Sequence, residues 1–257
     1  MGDFKVTLVQ HALAWEKPED NRRQFQALLD AATPNTDLVL LPEMFTTGFS
    51  MNALANAEDA GGETEAWMRS LARQHDCAIG GSVAVRAGAE VFNRFLFVTP
   101  EVTQYYDKRH LFRMAGEQKR YAMGGERVIV EWRGWRIKLE VCYDLRFPVF
   151  SRNRNDYDLL LYVANWPAPR ALHWRTLLRA RAIENLAAVV GVNRIGSDAN
   201  GLDYSGDSLA VDARGEILAD LEDRETLETV TFDGAALAAY RETFPAHLDA
   251  DDFTLEL

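Results

Sequence analysis

Cysteine is scarce in this chain: two residues among 257, Cys77 and Cys142. Two in a chain of this length give no disulfide framework beyond a single Cys77–Cys142 bridge. Histidine is also rare, and the five at positions 11, 75, 110, 173 and 247 show no paired ligand spacing, so no metal site is read. No apolar run approaches the roughly 20 residues of a membrane span; Leu159 to Ala164 is only strand length. No linker or low-complexity tract divides the chain, and Tyr-Asp pairs at 106, 143 and 157 are too sparse for an internal repeat. A single domain over residues 1–257 is therefore expected, a common length for an α/β fold.

Positive charge is in short supply too. Twenty-eight Lys and Arg stand against 39 Asp and Glu, a net charge of −11, which argues against nucleic acid and anionic membranes as partners. Residues 216–257 hold twelve acids and two arginines, a net of −10, so the remainder is almost neutral. Such a segment reads as solvated surface. An apolar strand, Phe4 to Val9, begins almost at once and leaves no room for a signal peptide. Val6 stands where an acylation signal would want Ser or Thr, and a cytoplasmic protein is expected.

What is present is an alternation of strand and helix patterns. Pro18-Glu19-Asp20 signals a helix start, with Phe25, Leu28, Leu29 and Ala32 on one face. A second helix follows Gly61-Gly62 and turns Trp67, Met68, Leu71 and Ala72 inward. Strands are expected at 77–85, with Cys77 a core residue at its start, and at 91–98, 102–106, 128–131 and 135–141. Asp158 to Ala164 reads as a buried strand, His173 to Asn185 as a helix and Ala188 to Asn193 as a strand. Asp207 to Val211 and Ile217 to Leu218 form a hairpin. Two sheets flanked by helices fit this order.

Three of the strands end in residues with chemistry. Asp37-Leu38-Val39-Leu40-Leu41-Pro42-Glu43 runs into a carboxylate flanked by Pro42, Met44 and Phe45. Partial desolvation there raises proton affinity, as a general base requires. The strand through Tyr105-Tyr106-Asp107 ends in Lys108, an ammonium suited to favouring a thiolate and an oxyanion. Val141 leads directly to Cys142 in Cys142-Tyr143-Asp144-Leu145-Arg146-Phe147-Pro148. That places a thiol at a strand tip with fresh backbone N–H groups behind it, as acyl transfer needs. A buried structural cysteine is the plain alternative.

Leu41-Pro42-Glu43, Tyr106 to Phe112, Cys142 to Pro148, and Asn165-Trp166-Pro167 with Leu172-His173-Trp174 occur in an order that resembles the nitrilase (carbon–nitrogen hydrolase) superfamily over nearly the whole chain. The wording is most similar to its bacterial omega-amidase branch, whose members hydrolyse the terminal amide of 2-oxoglutaramate and similar dicarboxylic monoamides. The resemblance implies a four-layer α–β–β–α sandwich and a Glu–Lys–Cys triad falling on Glu43, Lys108 and Cys142. It implies a second glutamate ahead of a glycine, matched by Glu117-Gln118-Lys119 before Gly124. It further implies a homodimer built through the helices near the site, an amide as the small-molecule partner, and no cofactor.

Arg146, four residues after the thiol, is associated in that branch with the substrate's free carboxylate; a surface ion pair to Asp144 or Asp156 is its structural alternative. Phe45, Tyr143 and Trp166 are expected to wall a pocket for a four- or five-carbon acyl chain. Arg175, Arg179, Arg181 and Glu184 are spaced to pair across a twofold axis. Three rivals stay open: a Cys–His dyad using His110 or His173, another amidase of the superfamily (for deaminated glutathione, a carbamoyl group or an aliphatic amide), and a catalytically silent scaffold.

Overall fold

The computed structural model describes residues 1–256. Its first part comprises β1 (Phe4–Gln10), α1 (Pro18–Ala32), β2 (Leu38–Leu40), α2 (Ala53–Asn56), β3 (Glu58–Asp59) and α3 (Glu63–His75). Next come β4 (Ala78–Ala87), β5 (Glu90–Val98), β6 (Thr103–Asp107), β7 (Ile129–Trp132), β8 (Trp135–Val141) and α4 (Pro148–Ser151). β9 (Leu159–Ala164), α5 (Ala171–Asn185), β10 (Ala188–Asn193), β11 (Ile195–Ser197) and β12 (Asp203–Ser205) follow. The last elements are β13 (Leu209–Val211), β14 (Ile217–Asp220), β15 (Thr226–Phe232) and α6 (Gly234–Thr243).

Two sheets stack face to face. One runs β15-β1-β2-β4-β5-β6, with β3 also on β4, and the other runs β14-β13-β10-β9-β8-β7. β1 faces β10 and β5 faces β8 across the seam. Strand alternation decides which side chains fill it. Phe4, Val6, Leu8, Leu38, Leu40, Phe95 and Phe97 point to the other sheet, where Ile137, Leu139 and Val141 meet them. The alternate residues Val9, Val39, Ile79, Leu96 and Val98 point outward, under Phe25 and Leu29 of α1 and Met68 and Leu71 of α3. On the far side Trp174 and Leu178 of α5 cover β10 so closely that a Cβ on Gly191 would sit 2.5 Å from Leu178. The result is the expected α–β–β–α sandwich.

The acids of the carboxy-terminal segment lie at the surface as expected, but part of the segment is built into the sandwich. β15 pairs antiparallel with β1 over its full length, from Phe4 with Phe232 to Gln10 with Thr226. Asp233 then caps α6 by accepting from the Ala236 N–H at 2.8 Å, using one of the orphan donors of a helix start. Both cysteines are free. Among the described residues no helix is long and apolar enough to cross a membrane.

Candidate functional site

Glu43 follows β2, Lys108 follows β6 and Cys142 follows β8, so all three stand at strand ends on one edge of the sandwich. Cys142 opens a short 3₁₀ turn (Cys142–Arg146) rather than an α-helix, and its φ of +47° is left-handed. That conformation costs a non-glycine residue about 1–2 kcal/mol. Asp144 holds the turn: its carboxylate accepts from the Val141 N–H at 2.9 Å and the Tyr106 hydroxyl at 2.8 Å. It also accepts from the His110 N–H at 2.9 Å and faces His110 Nδ1 at 2.7 Å. The thiol turn is thereby tied to the segment carrying Lys108. Behind that segment the Gly124 N–H donates to the Lys108 carbonyl at 3.0 Å. A Cβ on Gly124 would fall 2.0 Å from the Asp107 oxygen, so only glycine allows this crossing.

Glu43, Lys108 and Glu117 are wholly buried. Lys108 Nζ donates to Glu43 Oε1 at 2.9 Å and to both Glu117 oxygens at 3.1 Å. Glu43 Oε1 also accepts from Asn93 Nδ2 at 2.7 Å, and its Oε2 from the Asn165 N–H at 2.8 Å. The Phe112 N–H donates to Glu117 Oε2 at 2.6 Å. Burial pulls the proton affinity of Lys108 down, but the Glu117 and Glu43 carboxylates outweigh it and hold the ammonium charged. Burial, helped by Glu43, pushes the Glu117 carboxyl up against the opposing pull of Lys108. Burial and then the neighbouring Glu43 charge push the Cys142 thiol well above its ordinary range, with Lys108 pulling the other way. Cys142 is thereby held as a thiol, with the Glu43 carboxylate beside it.

The thiol opens onto a cleft of about 480 Å³, mouth included, whose walls include Phe49, Phe112, Tyr143, Trp166, Leu202 and Tyr204. Tyr143 and Trp166 are where the sequence put them. Phe45 is not: it is fully buried on the outer side of its sheet, 5.9 Å from the rings of Phe25 and Trp67. Met44, at φ +47°, turns the chain so that Phe45 enters the core, and Phe49 takes the wall position.

Arg146 lines the cleft, with its guanidinium 4.8 Å from the Trp166 ring and Nη2 2.9 Å from His173 Nδ1. Neither proposed surface ion pair forms, since Asp144 is engaged as above and Asp156 pairs with Arg127 at 2.7 Å. Arg170, which the sequence did not single out, lines the same cleft, 5.4 Å from the Phe112 ring. Among the described residues neither arginine has a carboxylate partner, and no acid lines the cleft with them. The Cys–His dyad loses its geometry: His110 is bound to Asp144 and stacked on Phe147 at 3.8 Å, and His173 is bound to Arg146. Ser82 and Asn93 were also missed; their signal is a polar residue inside an apolar strand.

Fold and strand-end cluster together define a hydrolase of the α–β–β–α class. The family model for carbon–nitrogen hydrolases matches residues 5–242. Omega-amidase YafV of Yersinia enterocolitica is 54% identical, over 99% of this chain and 100% of its own. The 2-oxoglutaramate amidase of Bacillus subtilis is 31% identical, over 96% of this chain and 97% of its own. A crystal structure of a CN-hydrolase superfamily protein from Xanthomonas campestris, with an arsenic adduct in its active site, superimposes with a TM-score of 0.97 at 52% identity, covering 99% and 100% of the two chains. This chain belongs to the carbon–nitrogen hydrolase family.

Proposed function

We propose that this protein is an omega-amidase, one carbon–nitrogen hydrolase domain over residues 1–257 that cleaves the terminal amide of short dicarboxylic monoamides such as 2-oxoglutaramate. The observation that carries the reading is a thiol beside a buried Glu–Lys–Glu cluster, at the base of a cleft whose charged lining is cationic. Relatives named omega-amidase and 2-oxoglutaramate amidase support it.

In this reading Glu43 takes the Cys142 proton as sulfur bonds to the amide carbon. The oxyanion is held by Lys108 and the Tyr143 N–H, donors of a kind worth about 3–4 kcal/mol each. Collapse breaks the C–N bond, and Glu43 returns its proton to the departing ammonia. Water, deprotonated by Glu43, then attacks the thioester; the second tetrahedral intermediate expels the Cys142 sulfur, releases the acid and restores the thiol. Glu117 keeps Lys108 charged and in place. Every step uses groups of this chain and a water molecule, and calls on no cofactor or metal.

Arg146, with Arg170 beside it, takes the substrate's far carboxylate, a task for which a planar guanidinium fork is suited. Anionic monoamides should therefore outrun neutral amides of equal length. Arg146→Ala should narrow that gap about ten- to a hundredfold, mainly through KM, since a hydrogen bond to a charged group is worth about 1.5–3 kcal/mol. Ammonia release from a small amide panel measures it. Equal efficiency on anionic and neutral amides, or a ratio indifferent to Arg146, would return the site to a different amidase branch.

The cytoplasm is the compartment proposed, in keeping with two free thiols. The assembly proposed is a homodimer through α4 and α5, which leave Val149, Leu172 and Ile183 exposed. The arginines expected to pair across the twofold are engaged within the chain: Arg175 with Asp207 and Asp220, Arg179 with the Gly215 carbonyl, and Arg181 with Glu184 and the Leu145 carbonyl. Apolar contact, not those charges, would hold the dimer. Light scattering at micromolar protein should give twice the chain mass, and a monomer would refute it.

A further inference from the structure

Two polar residues buried within apolar strands have no part in the chemistry above. Ser82 of β4 and Asn93 of β5 are fully buried. Ser82 Oγ accepts from the Met44 N–H at 3.0 Å and donates its only proton to Asn93 Oδ1 at 2.8 Å. That fixes the direction of the Asn93 amide, oxygen toward Ser82 and nitrogen away from it. The amide nitrogen then meets two acceptors, Glu43 Oε1 at 2.7 Å and Glu117 Oε1 at 3.3 Å. The Asn93 carbonyl also accepts from the Lys108 N–H at 2.9 Å. One residue thus touches both carboxylates and the backbone that carries the lysine.

A single ammonium shared by two buried carboxylates leaves them repelling each other, and one tends to take up a proton. A neutral donor reaching both favours the ionised form of each without adding a charge. We propose that Asn93 is a positioning residue of the reaction: oriented by Ser82, it holds the Glu43 carboxylate aimed at Cys142 while Glu117 serves the lysine. Asn93 itself touches no reacting atom. The titratable groups acting on Glu43 and its neighbours are Lys108 on the segment after β6, Glu117, Cys142 after β8, Tyr121 and, from β12, Tyr204. Only the carboxylates among them change charge in the acidic range.

Asn93→Leu keeps the bulk and removes the donors. It should lower kcat about 10- to 100-fold, the worth of a hydrogen bond to a charged group, with KM little changed. The acidic limb of kcat/KM should move to higher pH by about one unit, the equivalent of a tenfold change. Asn93→Asp, which adds a third negative charge, should move it further. Ser82→Ala, which frees the amide to rotate, should move it in the same direction by less. Alkylation of Cys142 by iodoacetamide should show the same displaced limb. S-alkylation displaces iodide and breaks no amide bond, so a wrong substrate assignment leaves this test intact, and Glu43→Gln tests the base separately. A residue that merely braces the fold would lower the melting temperature and leave both limbs where they are. A folded Asn93→Leu, or Ser82→Ala where Asn93→Leu does not fold, with a wild-type acidic limb in turnover and alkylation would overturn the proposal.

Discussion

Cys142→Ala should abolish amide turnover while leaving the melting temperature close to that of the parent. In the proposed reaction the Cys142 sulfur is the atom that bonds the carbonyl carbon, and alanine fills most of its buried volume without a new polar group. Loss of a nucleophile from a cooperating set costs three decades or more, because the remaining members cannot act without it. Glu43→Gln should be nearly as severe. The amide keeps the shape but cannot take the thiol's proton, and that thiol is held protonated by burial and by its neighbour. Ammonia release on the best amide, with a thermal melt on the same samples, decides the matter. A Cys142→Ala enzyme keeping a tenth of parental activity would sink the assignment and favour a scaffold reading.

Lys108→Met should be as damaging to turnover and should also harm the fold. Methionine matches the length but removes the only ammonium between two carboxylates with no exposure to solvent. Breaking a buried ion pair from one side costs about 3–5 kcal/mol; here proton uptake by a carboxylate recovers part of it and disables the base. The pH dependence follows. Glu117 already has its folded-state carboxyl raised above the ordinary 4.5, so the native state binds more protons than the unfolded one. Its contribution is fully present below that value and is lost as pH rises through the folded one. Without Lys108 the folded value climbs further, and the variant's melting temperature should fall with rising pH more steeply than the parent's. A melting profile parallel to the parent's between pH 5 and 8 would contradict the cluster's electrostatics.

The places of Glu43 and Lys108 were legible because each follows a strand pattern with a charge that a core would reject; Cys142, which a core accepts, was legible from the turn that follows its strand. Glu117 was legible only through the family resemblance, since a 3₁₀ turn of three residues (Glu117–Lys119) has no periodicity to read. Phe45 and Phe49 were exchanged for a local reason: the left-handed Met44 reverses the chain, and neither strand nor helix spacing carries across such a turn. Ser82 and Asn93 escaped because a polar residue in an apolar strand looks like an outward-facing position until its partners are known. β15 was hidden inside the acidic segment that surrounds it. Its inward pair, Val230 and Phe232, is too short a pattern to stand out, and its partner strand lies at the opposite end of the sequence.

That pairing of β1 with β15 also sets a timetable. The first strand leaves the ribosome more than two hundred residues before the strand that completes its edge. Until then its outer row of backbone donors and acceptors has no ladder to join, the condition in which strands find the wrong neighbour. Contacts of such sequence separation form slowly and late. Synthesis of β15, not emergence of the thiol, is thus the event after which the sandwich can close.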